Sequence, residues 1–228
     1  MTRSDFEGIG ACVFDAYGTL FDFNAAAGRC RDALGDQADP LSALWRTKQL
    51  QYTWLRSLMG HHIYFWQVTS DALDYAMETL GIEDDALRER LLDCYKTLDA
   101  YREVKGMLEA LRAAGMKTAI LSNGSPDMLA SAVGSAGLGN LLDAVISVED
   151  VGIYKPHPSV YALAVDRLGV EATQICFMSS NAWDANGAAT FGFRVVWVNR
   201  FGQTAERLPG DPAAEIVTLE ALPGLLSL

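Results

Sequence analysis

Ala11-Cys12-Val13-Phe14-Asp15-Ala16-Tyr17-Gly18-Thr19-Leu20 runs four apolar residues straight into a carboxylate. An apolar run of this length without polar alternation reads as a strand buried on both faces, as in a parallel sheet covered by helices. Two more segments repeat the pattern of an apolar run followed at once by polar residues. They are Thr118-Ala119-Ile120-Leu121-Ser122-Asn123-Gly124 and Ile175-Cys176-Phe177-Met178-Ser179-Ser180-Asn181-Ala182-Trp183-Asp184. Ligands of an open parallel sheet sit beyond the carboxyl ends of its strands. Three strands ending this way bring Asp15, Ser122, Asn123, Ser180, Asn181 and Asp184 around one cleft.

Outward from these segments, apolar runs of strand length recur at 11–14, 117–121, 144–148, 175–178 and 194–198, and helical patterns at 104–114, 126–136 and 157–168 separate most of them. Alternation of this kind implies βαβ units. The expected fold is α/β, a Rossmann-like parallel sheet flanked by helices. Residues 23–98 break the alternation: Leu41, Leu44, Trp45, Leu50, Trp54, Leu55, Leu58 and Met59 recur at helical spacing, with further helical patterns at 63–80 and 84–98. An inserted helical cap subdomain over the first strand's carboxyl end is the economical reading. It gives a discontinuous core of residues 1–20 and 100–228 and a cap of residues 21–99.

At 228 residues the chain suits one large domain or one domain with an insert. Its net charge of −11 argues against a nucleic-acid partner, which requires a basic stripe. A small anionic substrate remains compatible, because a few cations in a cleft set a local potential. No apolar stretch approaches the ~20 residues of a membrane span, and residues 1–10 lack the apolar core of a signal peptide. Cys12, Cys30, Cys94 and Cys176 show no paired spacing, so free thiols in a reducing cytoplasm are expected. His61, His62 and His157 have no metal-ligand spacing, and there is no P-loop, GxGxxG or GxSxG.

Each chemical candidate also has a plainer reading. Asp15, before Gly18-Thr19, is a nucleophile, a metal ligand, a base or simply a cap of the next segment. Ser122-Asn123-Gly124 is an anion site or an ordinary Asn-Gly turn. Lys155, restricted by Pro156, keeps a nearby Asp ionised or is one more surface lysine. Arg46, beside Trp45, Leu50 and Trp54 and upstream of Phe65, is a cation against an apolar wall or a snorkelling helix residue.

The motif Phe14-Asp15-Ala16-Tyr17-Gly18-Thr19-Leu20-Phe21-Asp22 resembles the first motif of the haloacid dehalogenase superfamily, and Ser122-Asn123-Gly124 and Lys155-Pro156 its second and third. Ser179-Ser180-Asn181-Ala182-Trp183-Asp184-Ala185 is similar to the fourth motif of the L-2-haloacid dehalogenases. The resemblance continues through Leu44-Trp45-Arg46, Trp54-Leu55-Arg56-Ser57-Leu58-Met59 and Val198-Asn199-Arg200.

Most of that superfamily are magnesium-dependent phosphotransferases with a second Asp two residues after the nucleophile. Tyr17 stands there, and Ser180 and Asn181 replace acidic metal ligands. A halide leaves without a proton, so the resemblance implies attack of Asp15 on C2 of an L-2-haloalkanoate and hydrolysis of the resulting ester to a D-2-hydroxyalkanoate. It assigns Lys155 to keeping Asp15 ionised and to pairing with Asp184, and Asp184 and Asn181 to the water, with Ser180 beside them. Ser122 and nearby N–H groups take the substrate carboxylate, with Thr19 close to Asp15. Arg46 and Asn123 take the halide side, and Leu50, Phe65 and Trp183 form the apolar wall. Tyr17 and Tyr161 match active-site positions. No cofactor or metal is implied, and a homodimer is expected from the apolar surface of the helix at 41–60. The alternatives are a metal-dependent small-molecule phosphatase and a non-catalytic interaction module. Thr47 and His157 depart from the pattern and bear on specificity.

Overall fold

A computed structural model describes residues 6–23 and 28–228. Six strands, β1 (Ala11–Phe14), β2 (Lys117–Ser122), β3 (Ala144–Ser147), β4 (Ile175–Ser179), β5 (Arg194–Val198) and β6 (Ala214–Ile216), form one parallel sheet ordered β3-β2-β1-β4-β5-β6. The three strands that end in polar residues are therefore neighbours, with Phe14 of β1 opposite Ile120 on one side and Met178 on the other. Strand order reverses between β1 and β4, which makes the end of β1 the switch point where α/β sheets bind ligands. All four β1 residues are fully buried.

Between β1 and β2 the long elements are helices: α1 (Ala38–Met59), α2 (Phe65–Leu80), α3 (Asp85–Lys96) and α4 (Val104–Ala113). After β2 come α5 (Pro126–Ser135), α6 (Pro158–Leu168) and α7 (Ala182–Phe191). In α1 the residues Leu41, Trp45, Gln49 and Thr53 recur every four positions and are buried against α2, where the Trp45 indole donates to the Thr69 carbonyl at 2.8 Å. Gly60 ends α1 at φ 67°, a left-handed stop that glycine adopts without strain. The Tyr154 N–H then donates to Ser57 Oγ at 3.2 Å and the Tyr154 hydroxyl to the Ile63 carbonyl, tying the α1–α2 connection to the loop after β3.

Two elements go beyond the sequence expectation. Helix α7 mixes Ala, Gly and aromatic residues with Asp184 and Asn186, both buried, so its polar and apolar positions do not separate into two faces that would betray its period. Strand β6 is a three-residue edge strand. The third strand stops at Ser147, whose hydroxyl accepts from the Glu149 N–H at 3.2 Å and starts a 3-10 turn at Val148. All four cysteines are free, and Cys12, Cys30 and Cys176 are buried. Among the described residues no helix is long and apolar enough to cross a membrane.

Candidate active site

Asp15 is the first residue beyond β1, its N–H still bonded to the Met178 carbonyl of β4 at 2.9 Å. The chain then turns sharply at Gly18, with φ 87°. The Asp15 carboxylate is 7% exposed, and both oxygens have partners. Oδ1 faces Lys155 Nζ at 3.2 Å, while Oδ2 accepts from Asn181 Nδ2 at 2.9 Å and Thr19 Oγ1 at 3.2 Å. Thr19 Oγ1 is itself aimed by the Ser180 N–H, which donates to it at 2.8 Å. Behind this turn the Arg200 Nη2 donates to the Thr19 carbonyl at 2.9 Å and pairs with Glu103 at 2.6 Å.

Lys155 lies in the loop after β3, its N–H donating to Asn123 Oδ1 at 3.0 Å, so the second motif sets the position of the third. Its Nζ also meets Asp184 Oδ2 at 2.9 Å, and the other oxygen of Asp184 accepts from the Tyr161 hydroxyl at 2.8 Å. Three ionisable groups are thus buried together. Burial opposes the Lys155 ammonium, but the charges of Asp15 and Asp184 outweigh it and hold its pKa above the ordinary value. Burial raises the carboxyl pKa of Asp184, with Lys155 pulling it down and Asp15 pushing it up. Burial also pushes the Tyr161 phenol well up, and the neighbouring Asp184 charge adds to it.

Tyr17 is 3% exposed and stacks on Tyr95 with ring centroids 5.6 Å apart, and Phe65 lies 6.1 Å away. Burial and the nearby Tyr95 and Asp15 push its phenol well above 10. Close approach of the Tyr17 ring explains Gly124: a Cβ there would lie 2.8 Å from Tyr17 Cε2 and 3.0 Å from Leu129 Cδ2. Ser122 is fully buried and its hydroxyl accepts from the Gly124 N–H at 3.1 Å.

From the helical insert, Arg46 Nη2 reaches across to Asn181 Oδ1 at 3.1 Å, and its Cζ lies 5.0 Å from the Phe23 ring centroid. Leu50 is half-buried one turn further along α1. Trp183 meets Trp54 edge-on at 5.3 Å, and both flank an apolar groove of ≈ 490 Å³ that Leu58, Tyr154, Lys155 and Pro156 also line.

Of the residues singled out in the sequence, Asp15, Thr19, Lys155, Asn181, Asp184 and Tyr161 are joined directly by hydrogen bonds or ion pairs, and Ser180 joins through its backbone. Arg46 joins through Asn181 and Asn123 through Lys155. Tyr161 lies behind Asp184 and is fully buried. The buried Ser180 hydroxyl has no protein partner among the described residues. Sequence reasoning passed over Gln49 and Tyr95, because a glutamine or tyrosine at helical spacing carries no chemical signature. Their signal is burial, at 1% and 5% exposure.

The donor set does not fit a divalent cation. Asp15 and Asp184 are bridged by the Lys155 ammonium at 3.2 and 2.9 Å, their other oxygens accept from Asn181 and Tyr161, and magnesium prefers several oxygens in octahedral array. Among the described residues no group of three His, Cys, Asp or Glu is arranged to hold a metal.

A lysine-held carboxylate at the switch point of a Rossmann-like sheet defines an α/β enzyme built on an aspartate. Residues 9–192 match the family model for haloacid dehalogenase-like hydrolases, and the chain belongs to that family. It is 48% identical over 219 residues to the (S)-2-haloacid dehalogenase 1 of Pseudomonas sp. (strain CBS-3), covering 96% of each chain. It is similar to the crystal structure of a dehalogenase, with a TM-score of 0.95 and 44% identity over 97% of this chain and 99% of that one. The L-2-haloacid dehalogenase of Xanthobacter autotrophicus with chloropropionic acid covalently bound matches with a TM-score of 0.90 and 39% identity, over 96% of this chain and 98% of that one.

Proposed function

We propose that the chain hydrolyses small L-2-haloalkanoates to D-2-hydroxyalkanoates and halide. The observation that carries the reading is the state of Asp15: a nearly buried carboxylate beside a fixed ammonium, with Tyr17 where a phosphatase of this superfamily holds its general acid. A covalent chloropropionate in a relative of the same fold supports it.

An Asp15 oxygen attacks C2 from the rear as the carbon–halogen bond breaks, and the halide leaves with the bonding pair. Inversion follows, and the product is an ester of Asp15. Water then adds to the Asp15 carbonyl carbon, and the ester C–O bond cleaves to release the hydroxy acid and restore the carboxylate. Lys155 is the counter-ion of Asp15, 3.2 Å from its Oδ1. Asp184, oriented by Tyr161 and Lys155, takes part with Asn181 and Ser180 in placing the water and receiving its proton. Ser122 with its neighbouring N–H groups and Thr19 serve the substrate carboxylate. Arg46 and Asn123 serve the halide, and Leu50, Phe65 and Trp183 bound the alkyl group beside Tyr17. Holding carbon and nucleophile in line at ~3–3.5 Å supplies several kcal/mol of the barrier, and stabilising the departing anion supplies more.

The same reading takes residues 21–99 as a cap over a core of residues 1–20 and 100–228, with no cofactor, in the cytoplasm. It also takes the protein as a homodimer, which the exposed apolar end of α1 favours: Leu55, Leu58 and Met59 are 48%, 85% and 66% exposed.

Incubation with L-2-chloropropanoate in EDTA, followed by chloride measurement, tests the reading. Chloride release that disappears in Asp15→Asn is expected, and single turnover in heavy-oxygen water should give product whose new oxygen comes from Asp15. Absence of chloride release across pH 6–11 overturns it.

A further inference from the structure

The hydrogen bonds that hold Arg46 form one chain between α2 and Asp15, each donated outward from the guanidinium. Thr69 Oγ1 donates its only proton to the Phe65 carbonyl at 2.8 Å, so it faces Gln49 as an acceptor. Gln49 Nε2 meets it at 2.8 Å, which fixes the amide with Oε1 turned toward Arg46. Arg46 Nη1 donates to that oxygen at 2.7 Å, and Nη2 donates to Asn181 Oδ1 at 3.1 Å. Asn181 is left with its Nδ2 toward Asp15 Oδ2, at 2.9 Å. Arginine has no acceptor, and each amide has one donor end and one acceptor end, so no link can be reversed. Gln49 is 1% exposed on α1, three residues past Arg46 and hence on the same helix face. The Tyr95 hydroxyl braces it, accepting from Nε2 at 3.1 Å and donating to Oε1 at 3.3 Å.

We propose that Gln49 is the positioning residue for Arg46: it ties one guanidinium nitrogen to the insert, keeps the cation beside Asn181 and off the Asp15 carboxylate, and leaves the other N–H groups for the departing halide. This deepens the dehalogenase reading and rests on it for the halide. The reason lies in what Arg46 does when free. Asp15 is one side chain away, and an arginine prefers a bidentate pair with a carboxylate. That pair would occupy the nucleophile's lone pairs and remove the cation from the leaving group together. Gln49 offers the guanidinium a neutral acceptor instead, in a place only the insert can supply.

Gln49→Met removes the acceptor while keeping volume, and Gln49→Glu keeps an oxygen for Arg46. Ester formation and ester hydrolysis are measured separately in single turnovers with 2-chloro-, 2-bromo- and 2-iodopropanoate. Rotation of the Arg46 guanidinium is followed by NMR of ¹⁵N-arginine-labelled protein without substrate. Expected in Gln49→Met is ester formation slowed about 10- to 100-fold, the effect of losing one hydrogen bond to a charged group. The loss is largest for chloride, the poorest leaving group, and ester hydrolysis is little changed. Guanidinium rotation becomes free in Gln49→Met and stays restricted in Gln49→Glu. An equal slowing of both steps for every halogen overturns the proposal, as does unchanged guanidinium rotation in Gln49→Met. A wild type inert toward all three acids sinks the dehalogenase reading, and the rotation measurement still decides whether Gln49 holds Arg46.

Discussion

Lys155 Nζ lies 2.9 Å from Asp184 Oδ2, and the two side chains are 1% and 0% exposed, so a full ion pair sits beneath the site, shielded from bulk solvent. Asp15 is the third member at 3.2 Å, leaving two carboxylates for one cation. Removing the cation strands both of them in the interior. Lys155→Met is expected to lower unfolding free energy by about 3–5 kcal/mol, the usual cost of breaking a buried pair from one side. Asp184→Asn leaves a balanced Lys155–Asp15 pair and should cost much less. Urea melts of the two variants at neutral pH check the ordering, and a smaller loss for Lys155→Met than for Asp184→Asn contradicts it.

The same trio sets a pH dependence. Beside two carboxylates, Lys155 has a folded pKa above the ordinary lysine value of 10.5. A raised base contributes stability that is fully present below the unfolded value and is lost as pH rises through the folded one. Its contribution therefore holds up to about pH 10.5 and declines only beyond. Tyr17, pushed well above 10, stays neutral over the same range. Ester formation should show no alkaline loss from either group between pH 7 and 10, and Tyr17→Phe should keep the same profile. A stopped-flow pH series that falls within that interval in wild type and not in Tyr17→Phe would assign the limb to Tyr17 and refute the expectation.

Gly124 gives a steric test. A methyl there meets Tyr17 Cε2 at 2.8 Å, Leu129 Cδ2 at 3.0 Å and Tyr17 Oη at 3.1 Å. Tyr17 is stacked on Tyr95 and cannot retreat without disturbing it. Gly124→Ala is expected to destabilise by about 1–3 kcal/mol, as overpacking does, and to lower kcat by moving the loop between Ser122 and Ser125. Combining it with Tyr17→Leu should recover part of the stability. Thermal melts of the single and double variants measure the coupling, and simple additivity argues against the contact.

The sheet was legible because β1, β2 and β4 are continuous apolar runs that stop abruptly at polar residues, a pattern that marks both the strand and its functional end. Asp15 and Thr19, just past β1, and Asn181 and Asp184, at the start of α7, were legible for the same reason, whereas Lys155, in the loop between β3 and α6, was legible only through the family resemblance. Helix α7 was not, because its polar and apolar residues are mixed around the helix and leave no amphipathic period. Nor were Gln49, aimed at Arg46 by Thr69 20 positions away, and Glu149, whose partners lie 84 and 87 positions away in the chain. Spacing along a helix tells which residues share a face, not what faces them.

Glu149 shows what that distance conceals, and supplies the last test. It belongs to the turn after β3, yet its Oε2 lies 2.6 Å from His62 Nε2 and its Oε1 accepts the Phe65 N–H at 3.2 Å. The core thereby caps the first N–H of α2, a group with no partner inside its own helix. Phe65 is the first residue of that helix, and its ring lies 6.1 Å from both Tyr17 and Tyr154, so the cap fixes a wall of the proposed substrate site. Glu149→Ala removes the acceptor and the partner of His62 together, and should cost about 1–2 kcal/mol as losses of helix caps do. Its larger effect is expected on binding. With the α2 start released, Phe65 loses its fixed place against Tyr17, and KM for L-2-chloropropanoate should rise several-fold. The ester-forming step in the saturated enzyme should change little, because neither Asp15 nor Lys155 touches Glu149. Glu149→Gln keeps an oxygen for the Phe65 N–H and should restore most of the affinity. Steady-state KM and single-turnover rates for the two variants separate these effects. An unchanged KM in Glu149→Ala would show that Phe65 is held by packing alone.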